Sequence, residues 1–417
     1  MRILLLIFLL SVPFSWSYSV TDVKNDCAPR HLRLSLGYSQ TEIQFHWEDF
    51  CEEETGTYVK INNQTAKGFS YLFTDDDQIK TPVTVHRAFV SNLTSNTVYQ
   101  YQVGSDEGGW SNIHQFKTLP ATTPLRVSVW GDMGIINQRI LPQLLNHSFD
   151  FAIHAGDFAY NLNYYNGYFA NKFFEMISLY YPLTSENIFE TCPGNHESHN
   201  DFSYYRWRLS SRLSTPMYYS FNVANVHFVS INSEYYFSGT SAERERQYQW
   251  LESDLRQVNR TNYPWIIVYG HRQMYASGCV GRNLESKILR DGLEDLLMKY
   301  HVDLYLCGHQ HYYERMFPVY KEKFEKMADN NSYVNPKYPV HIVNGAAGCH
   351  EMLTPFNYGI KNYSAVRIAH YSFGIMTFFN ETHLEWEQFN SHGEKIDKLT
   401  IISGVLPPTY QHDSLLH

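Results

Sequence analysis

Short runs of alternating apolar and polar residues fill the first quarter of the chain. HLRLSLGY, EIQFHWED, TYVKI, FSYLFTD, TVHRAFVSNL, TVYQYQVGS and HQFKTL succeed one another between Pro29 and Thr118, with turn-forming residues between them. Successive side chains of a strand point to opposite faces, so a period of two predicts half-buried strands. Nothing in these runs gathers titratable groups into a convergent cluster, and the segment reads as a structural or positioning module.

About seven short strands over roughly 90 residues resemble the footprint of a fibronectin III-like or immunoglobulin-like sandwich. PATTP, Pro120 to Pro124, reads as a linker, and beyond it the rhythm changes. LRVSVW, DFAIHA, ENIFET, HFVSIN, WIIVYG, VDLYLC and VHIVNG are apolar and strand-like. QRILPQLLNH, RERQYQWLESDLRQV and ESKILRDGLEDLLMKY carry helical patterns between several of them. That alternation predicts a layered α/β domain. FGIMTFFNETHLEWEQFN then returns to strands, expected to pair at a sheet edge.

The loops after the apolar strands carry the chemistry. LRVSVW runs into GDMG, DFAIHA into GDFAY, ENIFETCP into GNHE, WIIVY into GHR and VDLYLC into GHQH. In open α/β sheets, site groups gather beyond the carboxyl ends of strands, and Gly permits the close turn there. Any one block alone is an ordinary turn. Together they offer Asp132, Asp157, Tyr160, Asn195, His271, His309 and His311. Carboxylate, phenol, amide and imidazole donors suit hard to borderline metals rather than thiophilic ones. The set is too large for one tetrahedral ion and suits two metals sharing a carboxylate.

Composition narrows the setting. Of 417 residues, 43% are hydrophobic and 18% charged, ample for a core; the net charge of -9 and the lack of a dense Lys/Arg block exclude a nucleic-acid binder. The start, MRILLLIFLLSVPFSWSYSV, has a positive residue, a short apolar run and small residues, which predicts a signal peptide. The run falls short of the ~20 residues of a membrane span, so stable membrane insertion is not expected. N-x-[ST] sequons at Asn63, Asn92, Asn146, Asn259, Asn330, Asn362 and Asn380 predict a glycoprotein and agree with secretion. The six cysteines include no CxxC; Cys27 with Cys51, both early in the chain, is the one pairing expected.

The blocks GDMG, GDFAY, GNHE, GHR and GHQHYYER, in that order, resemble those of the purple acid phosphatases, a branch of the calcineurin-like metallophosphoesterases. The resemblance spans nearly the whole mature chain and is closer to the long animal members. With the signal peptide read over 1–17, it implies a fibronectin III-like domain over 18–122 and a catalytic domain over 123–417. The implied catalytic fold is an α/β metallophosphoesterase β-sandwich flanked by helices. It further implies ferric iron on Asp132, Asp157, Tyr160 and His311, and a second divalent metal (zinc, iron or manganese) on Asp157, Asn195, His271 and His309, with Asp157 bridging.

The implied activity is hydrolysis of small phosphate monoesters by a secreted or lysosomal acid phosphatase, through metal-bound hydroxide, with His196 contacting the substrate phosphate. A phosphodiesterase or nucleotide pyrophosphatase using the same site is the alternative; a secreted binding protein is a third reading. The plant-type members carry a histidine pair after the GHR loop, whereas QMYASGCVGRNLESKILRD here has none. The general acid is therefore open among His196, Glu285 and water. His199 and Arg272 are further nearby candidates, and Glu314 with Arg315 is expected to form a local ion pair or to support the ligands.

Overall fold

The computed structural model describes residues 26–51, 53–62, 64–75, 83–278, 282–356 and 359–404. The signal-peptide expectation, the Asn63 sequon and Cys279 lie outside them.

The strand-end grammar translates into two facing sheets. One contains Leu125–Trp130, Phe151–Ala155 and Ile188–Cys192 as parallel neighbours. The other contains Val226–Ser230, Trp265–Tyr269, Leu304–Cys307 and Val340–Asn344, also parallel. Every residue of Phe151–Ala155, Trp265–Tyr269 and Leu304–Cys307 is buried, which explains their continuous apolar reading. Val127, Val129, Phe151 and Ile153 of the first sheet share a core with Phe228, Ile267, Leu306 and Ile342 of the second. Phe151 meets Phe228 edge-on with ring centroids 5.3 Å apart.

Helices cover both outer faces. Ser241–Gln257 begins with a capping box: Glu243 N–H donates to Thr240 Oγ1 at 3.2 Å, and the Glu243 carboxylate accepts from Thr240 N–H at 2.8 Å. Its Gln247, Leu251 and Leu255 recur every fourth residue and form the buried stripe. Helix Arg282–Lys299 packs beside it through Leu289, Leu293, Leu296 and Leu297. The helix expected over 138–147 shrinks to Leu141–Leu145, with Pro142 in its first turn, where a missing N–H costs nothing.

The N-terminal runs become strands, and Cys27 is joined to Cys51 by a disulfide. Two departures stand out. Strand Asp26–Leu36 pairs in parallel with Ile188–Cys192, so the N-terminal sheet continues the first catalytic sheet. The absence of a titratable cluster is also overturned. Arg33, His46, Glu48 and Arg87 are buried together with Arg208 and Arg212 of the catalytic region, because the strand residues that face inward there meet another domain and not solvent.

The C-terminal strands need a similar correction. Ser372–Phe378 pairs along Leu125–Trp130 inside the eleven-stranded sheet, followed by His383–Asn390 and Lys395–Ile402. Ser332–Val334 takes the edge.

Candidate metal centre

All five Gly-led loops emerge at one end of the two sheets and touch across the gap. Gly131 N–H donates to Asn344 O at 2.9 Å, Asp132 N–H to Gly156 O at 3.0 Å, and Gly308 N–H to His271 O at 3.0 Å. A Cβ on Gly308 would fall 2.3 Å from Asp132 Oδ2, and one on Gly194 would fall 2.2 Å from Asp157 Oδ1. Glycine is therefore a steric requirement at both positions. Asp132, Asp157, Tyr160 and His309 all have positive φ, between 55° and 66°. For residues with side chains this costs on the order of 1–3 kcal/mol each and concentrates where geometry serves function.

The seven candidate ligands fall into two groups. In the first, Tyr160 Oη lies 3.0 Å from His311 Nε2 and 3.4 Å from Asp132 Oδ1, and His311 Nε2 lies 3.4 Å from Asp132 Oδ1. In the second, His271 Nε2 lies 3.0 Å from Asn195 Oδ1, 3.1 Å from Asp157 Oδ2 and 3.1 Å from His309 Nδ1. The two histidines of GHQH thus sit in different groups. Asp157, His271 and His309 each offer one donor atom within 4.8 Å of the others.

The protonation pattern tests whether this set fits cations. His271 donates through Nδ1 to Ala155 O at 2.9 Å, so its Nε2 is an acceptor surrounded by the acceptors of Asn195, Asp157 and His309. His309 Nε2 lies 3.2 Å from Glu285 Oε2 and 3.1 Å from Arg272 Nη1, while its Nδ1 faces His271 Nε2. Lone pairs gathered this closely away from water require a positive charge between them. The protein itself supplies only protons. Burial opposes charge on His271 and His311, yet Asp157 carries the first up to about 10, and Asp132 with Cys349 carries the second up to about 11. Burial would raise Asp157, but His271 beside it holds the carboxyl well below the usual range. Burial and then Asp132 push the Tyr160 phenol well above its ordinary value. The donor set fits a pair of cations.

Several supporting residues carried no sequence signal of their own. Glu197, inside GNHE, accepts from Asp157 N–H at 2.9 Å, Gly194 N–H at 2.8 Å and Phe158 N–H at 2.8 Å, tying two loops together. Burial and the Asp157 charge nonetheless push it up to about 8. Cys349 Sγ and Met352 O lie 3.0 and 3.1 Å from His311 Nδ1. His350 meets the Tyr160 ring edge-on at 4.7 Å. Glu234 accepts from Arg272 Nε at 2.8 Å, and Asn232, just before it, is clasped by Gln247 of the capped helix.

The remaining candidates sort by geometry. His196 packs on the Tyr160 ring at 4.6 Å; Glu285 lies 3.3 Å from Arg272, whose Nη1 is 3.1 Å from His309 Nε2. His199 pairs with Asp75 at 3.2 Å. Glu314 and Arg315 form no local pair, because adjacent residues of strand Tyr313–Met316 face opposite ways. Glu314 accepts from Ser277 N–H at 3.0 Å, while Arg315 binds Asp397 at 2.7 and 3.0 Å.

Comparison with known proteins identifies the family. Residues 29–118 match the model of the purple acid phosphatase N-terminal domain, 129–313 that of the calcineurin-like phosphoesterases, and 338–398 that of the iron/zinc purple acid phosphatase-like C-terminal region. Acid phosphatase type 7 of Mus musculus is 34% identical, over 98% of this chain and 98% of its own. Acid phosphatase type 7 of Homo sapiens is 35% identical over 81% of each chain. A purple acid phosphatase from yellow lupin (Lupinus luteus) seeds shares the fold with a TM-score of 0.78 at 23% identity, covering 90% of this chain and 74% of that one. With its strand-end loops, its two sheets and these relatives in agreement, the chain belongs to the purple acid phosphatase family of calcineurin-like metallophosphoesterases, whose members imply a centre of two metals.

Proposed function

We propose that the chain is an acid phosphatase of the secretory pathway that hydrolyses small phosphate monoesters at a centre of Fe(III) and a divalent zinc, iron or manganese ion. The carrying observation is the division of the donors into Asp132, Tyr160 and His311 on one side and Asp157, Asn195, His271 and His309 on the other, all buried except the half-buried Asn195. A phenolate is a hard anionic donor suited to ferric iron, and the amide and imidazoles suit a divalent ion. The Asp157 charge acts on both His271 and Tyr160, which supports it as the bridging carboxylate.

When bound, such a pair would supply Lewis acidity toward phosphoryl oxygens and lower the pKa of water so that hydroxide is available as the nucleophile. The residues do the positioning. His196 is placed by its N–H on Asp157 Oδ1 at 3.0 Å and by Nδ1 on Asn161 Oδ1 at 3.1 Å. Its Nε2 lies 3.8 Å from both Asp157 Oδ2 and Glu351 Oε1, on a side chain 18% exposed. This position supports a role for His196 in holding a phosphate oxygen and passing a proton to the leaving alcohol. Glu285, engaged by Arg272 and His309, orients His309 instead.

The secretory reading draws on the sequons: Asn92, Asn146, Asn259, Asn330 and Asn362 are exposed, and Asn380 is half-buried. Among the described residues no helix is long and apolar enough to cross a membrane.

Metal analysis with a visible spectrum tests the proposal. A pair of metals per chain is expected, with a tyrosinate-to-iron band that Tyr160→Phe removes while metal is retained. A colourless, fully metallated wild type would overturn the iron assignment. Turnover of para-nitrophenyl phosphate in preference to its bis-ester is expected; the reverse preference would make it a diesterase.

A further inference from the structure

The seam between the N-terminal domain and the catalytic domain contains a cavity of about 10 Å³ whose lining includes His31, Arg33, His46, Glu48, Phe174 and Arg208. It shares no residue with the metal centre. Arg33, on strand Asp26–Leu36, is only 5% exposed. Its Nη2 reaches Arg208 O at 3.2 Å and His46 Nδ1 at 3.3 Å, but its Nη1 meets no acceptor among the described residues.

The surrounding charges do not balance. Arg33, Arg87, Arg208 and Arg212 are all buried, and the carboxylates that act on Arg33 and Arg87 are Glu190 and Glu48. Glu48 is taken by Arg208 through two bonds of 2.7 and 2.6 Å and by His31 at 2.6 Å. Glu190 accepts from Leu36 N–H at 2.8 Å and Ser211 Oγ at 2.9 Å. Arg87 spends its donors on neutral groups, Tyr71 Oη, Ser210 O and Trp207 O, and Arg212 on Leu36 O. His46 cannot offset the excess: burial and then Arg33, Arg87 and Arg212 hold it neutral. The same excess, with burial first and Arg87 next, brings Arg33 down to about 10.

We propose that this seam binds one monatomic anion of the chloride class, held by Arg33 Nη1 and clamping the two domains together. The cavity is small, about 10 Å³, which favours a compact monatomic anion over tetrahedral phosphate or sulfate. A water would satisfy the hydrogen bond but leave the positive charge uncompensated, and buried charges require a counter-charge.

Crystals of the holoenzyme soaked in sodium bromide test this directly. An anomalous peak within hydrogen-bonding distance of Arg33 Nη1 is expected; no peak in the cavity would overturn the proposal. In solution, the thermal midpoint of the holoenzyme should be higher in sodium chloride than in sodium gluconate at equal ionic strength. That difference should vanish in Arg33→Met. Equal midpoints for the wild type in the two salts would also overturn it. Should Arg33→Met fail to fold, the bromide crystals of the wild type still decide.

Discussion

The backbone N–H of His309 donates to Asp132 Oδ2 at 2.8 Å. A candidate ligand of one donor group is thereby anchored on a candidate ligand of the other, across loops that leave different sheets. The spacing between the two groups is set by backbone, and the GHQH segment acts as its gauge: His309 and His311 diverge from it toward separate positions. Distortion of either loop should therefore disturb both positions together.

Loading the metal-free protein should release protons. His271 and His311, held up to about 10 and about 11, carry protons at pH 7, whereas coordination needs their lone pairs. Tyr160 must lose its proton as well. A pH-stat titration with metal at pH 7 should show net base uptake, and the share due to the two histidines should fall away as the starting pH rises past about 10 to 11; no uptake at pH 7 would contradict the pattern. The folded pKa of each histidine lies above its ordinary 6.5, so both stabilise the metal-free fold below 6.5. That contribution is lost as pH rises through about 10, and the thermal midpoint should decline across that window.

Gly194→Ala should remove function and lower stability together. The added Cβ falls 2.2 Å from Asp157 Oδ1 and 2.5 Å from the Asp157 backbone nitrogen, so the loop must shift and carry the carboxylate with it. Displacement of a positioned group by ~1 Å costs about 100-fold in rate. Normal kcat with normal metal content would show that Asp157 tolerates displacement.

Glu197→Gln should weaken the site without replacing a ligand, most clearly above about pH 8, where Glu197 is ionised. The glutamine amide presents N–H groups where one carboxylate oxygen now accepts from Asp157, Phe158 or Gly194 N–H. A buried donor left facing a donor costs about 1–3 kcal/mol. Loss of such support lowers metal affinity by about 10–100-fold. Competition with a chelator measures the affinity and calorimetry the stability.

Arg315→Met should do the opposite, lowering stability while leaving the metals in place. Arg315 is fully buried on Asp397, Tyr333 Oη and Asn330 O. Removing one partner of a buried pair costs about 3–5 kcal/mol. A denaturant midpoint that does not move would refute it.

Much of the architecture was legible because its signals are local. Leu125–Trp130 and Trp265–Tyr269 coincide with their apolar runs, and helices Ser241–Gln257 and Arg282–Lys299 extend the predicted segments by a few residues. Strands Tyr219–Val223 and Tyr313–Met316 were not legible in this way. The first is joined to Val226–Ser230 by a two-residue turn, and the second carries Glu314 and Arg315, charges that look like surface. Their burial depends on Ser277, Ser364 and Asp397, far away in the chain.

By itself the sequence determined the two-part organisation of strand patterns, the family and the inventory of donors, since these arise from periodicity and from residue types at fixed spacings. The tertiary structure decided which donors face one another, that Arg315 turns from Glu314 to Asp397, and that the N-terminal sheet joins the catalytic one around a charged seam. Those outcomes depend on which distant segments supply acceptors for a buried donor, and hydrogen bonding between such segments leaves no mark on the local pattern of either.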